Sequence, residues 1–281
     1  MKKAFVGFAT VLFSFSTALH AESVTDTTSW KRTASGLLNL SQAYFDNWVK
    51  GGSDALNWET RLEGTAVLDR PDFTWESKAR GMYGESKIAS LNSRKTSDEL
   101  YLETIYTRKL NAWVNPFAST SLRSQFMPGY TYTDTSRTRV SGSFDPTYVT
   151  QTLGVGYDWR KELNVRVGGT TKETFSSKRY GYAKGTGADS AATFKLEPGA
   201  SLTITYQKGV MENILLNSLL DVFANFKGAN QTDVRWENSI TAKVNKYIST
   251  SFGFDMLYDR DLSARRQIKE NLSVGISFLS I

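Results

Sequence analysis

Charged side chains recur at every second position in several segments of this sequence. The clearest series are Glu59-Arg61-Glu63 and Glu76-Lys78-Arg80. Side chains two residues apart on a β-strand point to the same face, so each series would place carboxylates beside cations. Such an arrangement can form ion pairs, or it can line a polar path for a solute.

Hydrolytic chemistry is a poorer fit to the same residues. Glu59 and Glu63 would lie roughly 13 Å apart on one strand, whereas a glycosidase pair needs about 5 to 9.5 Å. The chain has no cysteine, and its one histidine is His20. His20 lies in the predicted signal peptide described below, so the mature chain would contain no histidine. Without histidine, a Ser-His-Asp triad or a typical zinc site cannot be built. We therefore predict no enzyme, no catalytic residue, no metal and no cofactor.

His20 lies in a segment with the features of a secretory leader. Lys2 and Lys3 supply positive charge, residues 4–19 form an apolar run, and small residues would permit cleavage after Ala18 or Ala21. We predict a signal peptide over 1–21, a periplasmic segment over 22–33 and the folded domain over 34–281. The net charge of +6 is spread without a basic cluster, so no nucleic-acid partner is predicted.

The elements that must position the charged series are long strands. Residues 56–68 and 234–244 alternate strictly between an apolar face and a polar face, and ten further segments resemble them. The predicted strands cover 34–46, 54–68, 73–85, 98–109, 113–126, 146–158, 163–175, 198–208, 213–226, 233–245, 247–258 and 267–280. The segment 213–226 is ambiguous, because Leu216, Leu219, Leu220 and Phe223 also fit helical spacing.

Strand length separates two architectures that share this alternation. Strands of soluble sandwiches usually have about 5 to 6 residues, whereas a tilted membrane-crossing strand needs about 9 to 11. The predicted strands are longer still, and short connections alternate with longer ones, as in outer-membrane barrels. We predict an all-β fold, a single closed antiparallel transmembrane β-barrel of about 12 strands in the outer membrane of a Gram-negative bacterium.

Aromatic residues on the apolar faces fall near the strand ends. Barrels in membranes carry such residues as girdles at the two interfaces. The predicted girdles contain Trp58, Trp236 and Tyr258 near the longer loops, and Phe73, Trp75 and Phe278 near the opposite ends.

Several local motifs resemble those of one uncharacterised family. They are Trp48-x-x-Gly51-Gly52-Ser53 followed by Asn57, Lys95-Thr96-Ser97-Asp98-Glu99, Gln125-Phe126-x-Pro128-Gly129-Tyr130, Asp145-Pro146, Glu197-Pro198-Gly199 and Glu270-Asn271-Leu272-Ser273-Val274-Gly275. Together they resemble a domain-of-unknown-function family of small outer-membrane β-barrel proteins of Gram-negative bacteria. The resemblance implies the barrel, with outer-membrane lipids and the barrel assembly machinery as partners, and it supplies no activity.

The predicted barrel interior carries nine positive and ten negative side chains. Since a selective pore needs an excess of one sign at its constriction, this balance predicts either an ion-paired plug or a narrow, weakly selective path for small polar solutes. The predicted lumen-lining residues are Glu59, Arg61, Glu63, Glu76, Lys78, Arg80, Arg123, Arg235, Glu237 and Lys243.

Two roles for the chain stay open from the sequence. The first is a narrow channel or a non-conducting envelope component. The alternative is a surface binding or adhesion protein that acts through the aromatic and basic loops 127–145 and 176–197. The sequence does not predict the number of subunits.

Overall fold

The computed structural model describes residues 30–44, 53–89, 91–110, 114–133, 136–160, 162–180, 182, 193–227, 232–259 and 265–280. No helix in these ranges is long and apolar enough to cross a membrane. The predicted signal peptide lies outside them. The strands are β1 (Lys31–Ala43), β2 (Ala55–Asp69), β3 (Phe73–Ile88), β4 (Arg94–Arg108), β5 (Asn115–Ser124), β6 (Gly129–Tyr132), β7 (Arg137–Ser141), β8 (Thr147–Trp159), β9 (Leu163–Phe175), β10 (Phe194–Met211), β11 (Ile214–Asn225), β12 (Thr232–Lys243), β13 (Ile248–Tyr258) and β14 (Gln267–Ser280).

Twelve of these strands form a closed barrel in which each neighbouring pair is antiparallel. The order around the ring is β1-β14-β13-β12-β11-β10-β9-β8-β5-β4-β3-β2, and pairing of β1 with both β2 and β14 closes it. Strands β6 and β7 form a separate two-stranded sheet. The predicted fold class is confirmed, and every predicted strand has its counterpart in the ring.

The two rims of the barrel differ in the length of their connections. At the rim that we call the short-turn end, the connections are 70–72, 109–114, 160–162, 212–213 and 244–247. At the opposite rim, the long-loop end, they include 125–146, which contains β6 and β7, and 176–193. This asymmetry is the one that the sequence predicted.

The outer surface of the barrel is apolar because alternate side chains of each strand point away from the interior. Leu62, Leu102, Leu153, Ile240 and Leu272 are each more than 40% exposed. Contact between so many apolar side chains and water would be unfavourable. An apolar outer surface is typical of a barrel that lies in the hydrocarbon of a membrane.

Aromatic side chains pair near both rims. Towards the long-loop end, the Trp58 and Tyr83 ring centroids are 5.7 Å apart, and those of Trp236 and Phe254 are 5.9 Å apart. Towards the short-turn end, Trp30 contacts Trp75 at 6.0 Å and Phe73 stacks on Tyr106 at 5.3 Å. Tyr258 ends β13 at the long-loop end, and the side chain of Phe278 lies outside the described part of the chain. That these rings meet the membrane interfaces stays a prediction.

Strand β10 begins four residues earlier than predicted. The prediction of 198–208 rested on the alternation of apolar and polar residues alone. Strand β10 pairs with β9 from Phe194 but with β11 only from Gly199. Pro198 therefore lies one residue before the pairing with β11 begins, and its carbonyl oxygen accepts a hydrogen bond from Phe226 N–H at 3.0 Å. A position where pairing with a neighbouring strand begins tolerates proline.

The ambiguous segment 213–226 is strand β11. Leu219 and Phe223 face the barrel interior, where they line a cavity, whereas Leu216 and Leu220 lie on the alternate, outer face. Apolar residues on both faces produce the spacing that also fits a helix.

Gly154 and Gly168 are directly paired between β8 and β9. A Cβ atom on Gly168 would lie 2.5 Å from the Leu153 carbonyl oxygen and 2.8 Å from Thr152 Cγ2. The two strands therefore approach more closely here than a side chain allows.

We expect Gly168→Ala to lower the free energy of unfolding by roughly 1 to 3 kcal/mol, the usual cost of overpacking. The control is Gly169→Ala, since a Cβ there meets nothing within 4 Å, and its effect should stay within about 0.5 kcal/mol. Urea unfolding of the barrel in detergent, followed by tryptophan fluorescence, measures both. Equal effects of the two variants would contradict the close approach.

Candidate functional site

The carboxylate of Glu99 is the centre of an ion cluster inside the barrel. Its Oε1 accepts a hydrogen bond from Arg80 Nε at 2.7 Å and forms an ion pair with Arg80 Nη2 at 2.6 Å. Its Oε2 accepts a hydrogen bond from Arg235 Nη2 at 2.9 Å. One carboxylate thus binds two guanidinium groups, and charge-assisted hydrogen bonds of this kind are among the stronger ones in proteins.

The two arginines reach Glu99 from different parts of the wall. Glu99 lies on β4 and Arg80 on the neighbouring strand β3, but Arg235 lies on β12. Five strands separate β4 from β12 in either direction around the ring. The contact between Glu99 and Arg235 therefore joins opposite walls and crosses the interior.

Two further residues complete this group. Glu237 forms an ion pair with Arg235 and lies 3.9 Å from Arg80 Nη2. Arg123 Nε, on β5, lies 4.0 Å from Glu99 Oε2. We call Arg80, Glu99, Arg123, Arg235 and Glu237 the transverse ion cluster.

An aromatic ring holds two of these cations in place. The Tyr101 ring has Arg80 Cζ at 5.4 Å and Arg123 Cζ at 4.9 Å from its centroid. Guanidinium groups are attracted to the face of an aromatic ring. Tyr101 thus restrains both arginines while leaving their N–H groups available to carboxylates.

Other ion pairs tie the interior walls together at and around this level. Lys172 Nζ on β9 lies 2.5 Å from Asp233 Oδ2 on β12 and 3.7 Å from Asp259 Oδ2. Arg166 Nη1 on β9 lies 3.8 Å from Glu103 on β4. These contacts join strands that are not neighbours, so the polar interior is bridged at several points.

Glu59 belongs to a smaller group beside the cluster. It lies 3.6 Å from Arg61 Nη2, and it accepts hydrogen bonds from the Ser97 hydroxyl and the Asn39 amide. Lys269 Nζ on β14 donates to Ser97 Oγ at 3.1 Å. This group crosses from β4 to β14 on the side of the ring that contains β1 and β2.

A cavity of about 400 Å³ lies in the interior next to the transverse ion cluster. Five cations face it from the β3, β5 and β9 walls, namely Lys78, Arg80, Arg123, Arg166 and Lys172. Three carboxylates, Asp221, Asp233 and Asp259, face it from the β11 to β13 side. Glu103 on β4 and Arg235 on β12 also line it. Serine and threonine hydroxyl groups share the remaining wall with aromatic and aliphatic side chains such as Phe117, Tyr148 and Leu219. The cavity thus combines charged groups with apolar surface, as sites for small molecules usually do.

The predicted lumen residues fall into distinct positions. Lys78, Arg80, Arg123 and Arg235 line the cavity, and Glu237 joins the ion cluster. Lys78 pairs with Glu76 at 3.2 Å along β3, and Glu63 is directly opposite Arg80 in the pairing of β2 with β3. Lys243 ends β12 at the short-turn end, apart from the cluster. Their role as the lining of a solute path stays a prediction.

The most connected residue, Glu99, was not singled out from the sequence. Its alternation in β4 indicates only that it faces inward, as do Glu103 and Tyr101. Which inward residues of distant strands share one height depends on the register of every strand between them. No local pattern contains that information.

Among the described residues, no group of three or more acidic, histidine or cysteine side chains is arranged to hold a metal ion. The absence of a metal and of a cofactor stays a prediction.

Comparisons with known proteins agree with the sequence resemblance. A family model described as "Protein of unknown function (DUF3078)" matches residues 40–130, so an uncharacterised family is supported over this part of the chain. No curated protein matches the chain.

Similar solved structures are barrels of the outer membrane. The translocator domain of autotransporter NalP from Neisseria meningitidis is 10% identical, with 91% of this chain and 90% of that chain covered and a TM-score of 0.42. The COG4313 outer membrane channel from Pseudomonas putida F1 is 12% identical, with 91% of this chain and 98% of that chain covered and a TM-score of 0.39. The NanC porin is 13% identical, with 87% of this chain and 99% of that chain covered and a TM-score of 0.42. At these values we draw no conclusion about activity from any of the three.

Proposed function

We propose that this chain is an outer-membrane barrel that provides a narrow, weakly selective path for small polar solutes. In the state described here, the transverse ion cluster obstructs that path. The observation that carries the proposal is the cavity of about 400 Å³, lined by charged side chains of both signs, beside side chains that meet across the interior. Packed protein interiors leave few voids larger than a water molecule, so a cavity of this size favours a role in passing a solute.

The membrane location is supported by the two faces of the wall. Apolar side chains cover the outside, and ionised groups face one another inside. Barrel strands of 10 to 18 residues are long enough to cross hydrocarbon. Outer-membrane lipids are thus the first partners of the outer wall, and the barrel assembly machinery remains an expected partner for insertion.

Passage would require movement of side chains and not of the wall. The interstrand hydrogen bonds stay intact while Arg80, Arg123 and Arg235 exchange partners, since long side chains change rotamer far more easily than paired strands separate. Cations and carboxylates on facing walls of the cavity would offer partners to both signs of charge. The expected selectivity between anions and cations is therefore weak.

Single-channel conductance tests the proposal. We expect purified wild-type protein in a planar bilayer to show small, intermittent openings in potassium chloride. Glu99→Gln combined with Arg235→Gln removes the contact across the interior while keeping the net charge. This pair of substitutions should raise conductance several-fold.

The matched control is Glu162→Gln combined with Lys208→Gln, an ion pair of 3.6 Å at the short-turn end. It should leave the conductance unchanged. If wild type and both variants are silent after folding is verified, the barrel is a non-conducting envelope component and the channel proposal fails.

Surface binding through loops 127–145 and 176–197 is a second candidate. It is favoured by one observation, the β6–β7 hairpin, in which Arg137 stacks on the Tyr130 ring.

A further inference from the structure

The chain that follows β5 turns down onto the outer face of the barrel. A Cβ atom on Gly81 would lie 3.6 Å from the Phe126 ring. Gly81 is paired with Leu62 and with Leu100, and paired residues of neighbouring strands point to the same side. Since Leu62 is exposed on the outer surface, the Phe126 ring lies on that surface too.

A buried carboxylate fixes this path. Asp98, directly paired with the outward residue Tyr83, accepts hydrogen bonds from the backbone N–H groups of Phe126 at 2.7 Å and Met127 at 2.9 Å. Lys95 Nζ lies 2.8 Å from the same carboxylate and donates to the Met127 carbonyl oxygen at 2.7 Å. The start of the β6–β7 segment is therefore held against the outer wall by several independent bonds.

The hairpin presents two stacked pairs of arginine and tyrosine. Arg94 Cζ lies 4.6 Å from the Tyr132 ring centroid, and Arg137 Cζ lies 4.9 Å from that of Tyr130. The two tyrosine rings are themselves 6.4 Å apart. Two guanidinium groups are thus gathered on adjacent rings, and no described carboxylate lies within ion-pair distance of either.

The neighbouring loop supports the far side of the hairpin. Arg139 Cζ lies 5.7 Å from the Tyr180 ring centroid, and the Tyr182 hydroxyl donates to the Val140 carbonyl oxygen at 3.1 Å. Burial, followed by the charge of Asp145, raises the pKa of the Tyr182 phenol above its usual value. The phenol therefore keeps its proton, and with it this hydrogen bond, throughout the physiological range.

Apolar side chains lie exposed on the segments that lead into and out of the β6–β7 hairpin. Met127 is 51% exposed and Phe144 is 56% exposed, and the Phe144 ring meets Phe126 edge-on at 6.3 Å. An exposed apolar patch on the outer wall, with arginines on the adjoining hairpin, complements the two parts of a lipid, its acyl chains and its charged headgroup.

We propose that the β6–β7 hairpin and Arg94 form a binding site for the phosphorylated headgroup of an outer-leaflet lipid. Arg94 and Arg137 bind the phosphate, and Met127 and Phe144 contact the acyl chains. The planar fork of a guanidinium group matches phosphate oxygens. An anion between the two cations would also relieve their mutual repulsion.

This proposal requires the barrel to lie in a membrane, but it does not require the interior to conduct. Its failure would leave the conductance experiment untouched, and silence in that experiment would leave the lipid site untouched.

Native mass spectrometry of the full chain in detergent tests the site with bisphosphorylated lipid A as the added lipid. We expect wild type to retain it, and Arg94→Gln with Arg137→Gln to lower the affinity about tenfold or more, since charge-assisted hydrogen bonds are lost. Fully dephosphorylated lipid A should bind weakly to both proteins.

The matched control removes two stacked cations at the opposite rim. Arg160 lies over Trp159 at 4.8 Å and Lys246 over Tyr247 at 4.8 Å, so Arg160→Gln with Lys246→Gln makes the same charge change. It should retain lipid A as wild type does. Circular dichroism verifies the fold of each variant. The proposal is overturned by equal loss in both double variants, by undiminished binding in the hairpin variant, by equal binding of the dephosphorylated lipid, or by displacement with micromolar inorganic phosphate.

Discussion

Glu99→Gln is expected to lower the free energy of unfolding by about 3 kcal/mol, the usual result of removing one partner from a buried ion pair. Glu99 is only 13% exposed, and its two oxygens bind Arg80 and Arg235. Glutamine keeps the shape but leaves Arg80, Arg123 and Arg235 with Glu237 as their only close carboxylate in the cluster. Urea unfolding of the barrel in detergent, read by tryptophan fluorescence, measures the change.

Glu76→Gln is the control for that experiment. Glu76 pairs with Lys78 at 3.2 Å, but the two side chains are 33% and 39% exposed. Solvent screens such a pair, so its loss should cost less than about 1 kcal/mol. If the two variants unfold at the same urea concentration, the transverse ion cluster adds nothing to stability.

Leu102→Arg is expected to destabilise the barrel in lipid by roughly 2 to 4 kcal/mol, because a basic residue would enter hydrocarbon near mid-wall. Leu102 lies about halfway along β4, on the outer face, and is 41% exposed. Its neighbours Leu122 on β5 and Ala79 on β3 offer no polar partner. Folding into vesicles, followed over a urea series, measures the loss.

Ser121→Arg places the same side chain on the other side of the wall. Ser121 lines the interior cavity and is directly paired with Glu103. Glu103 already pairs with Arg166, and Arg123 lies on the same strand. The new cation nevertheless enters the charged interior and not hydrocarbon, so we expect a smaller loss than at Leu102. An equal penalty at both sites would mean that the outer face does not contact hydrocarbon.

The ring of strands could be predicted because its cause is local. An alternating pattern such as that of residues 56–68 specifies which side chains point outward, and a slip of one residue would bring Glu59 and Arg61 to the outer face. Length then separates a membrane wall from a soluble sheet. Strand β10 begins four residues before the predicted segment, because residues 194–197 pair with β9 and such pairing depends on the partner strand and not on the alternation within β10.

The interior site could be predicted only in part for the same reason. Inward orientation follows from alternation, so Arg80, Arg123 and Arg235 were recognised as facing the interior. That they converge on Glu99 depends on the tilt and register of strands far apart in sequence. The hairpin β6–β7 was predicted as a loop, since its strands of four and five residues are too short for periodicity to identify.

A hollow cylinder of strands can flatten into an ellipse without breaking a single hydrogen bond between neighbouring strands. The bond from Glu99 to Arg235 resists that deformation, because it connects strands on opposite sides of the barrel. The circular cross-section of the barrel, and its stiffness under lateral pressure from the surrounding lipids, would then depend on ionised side chains and not on the backbone alone.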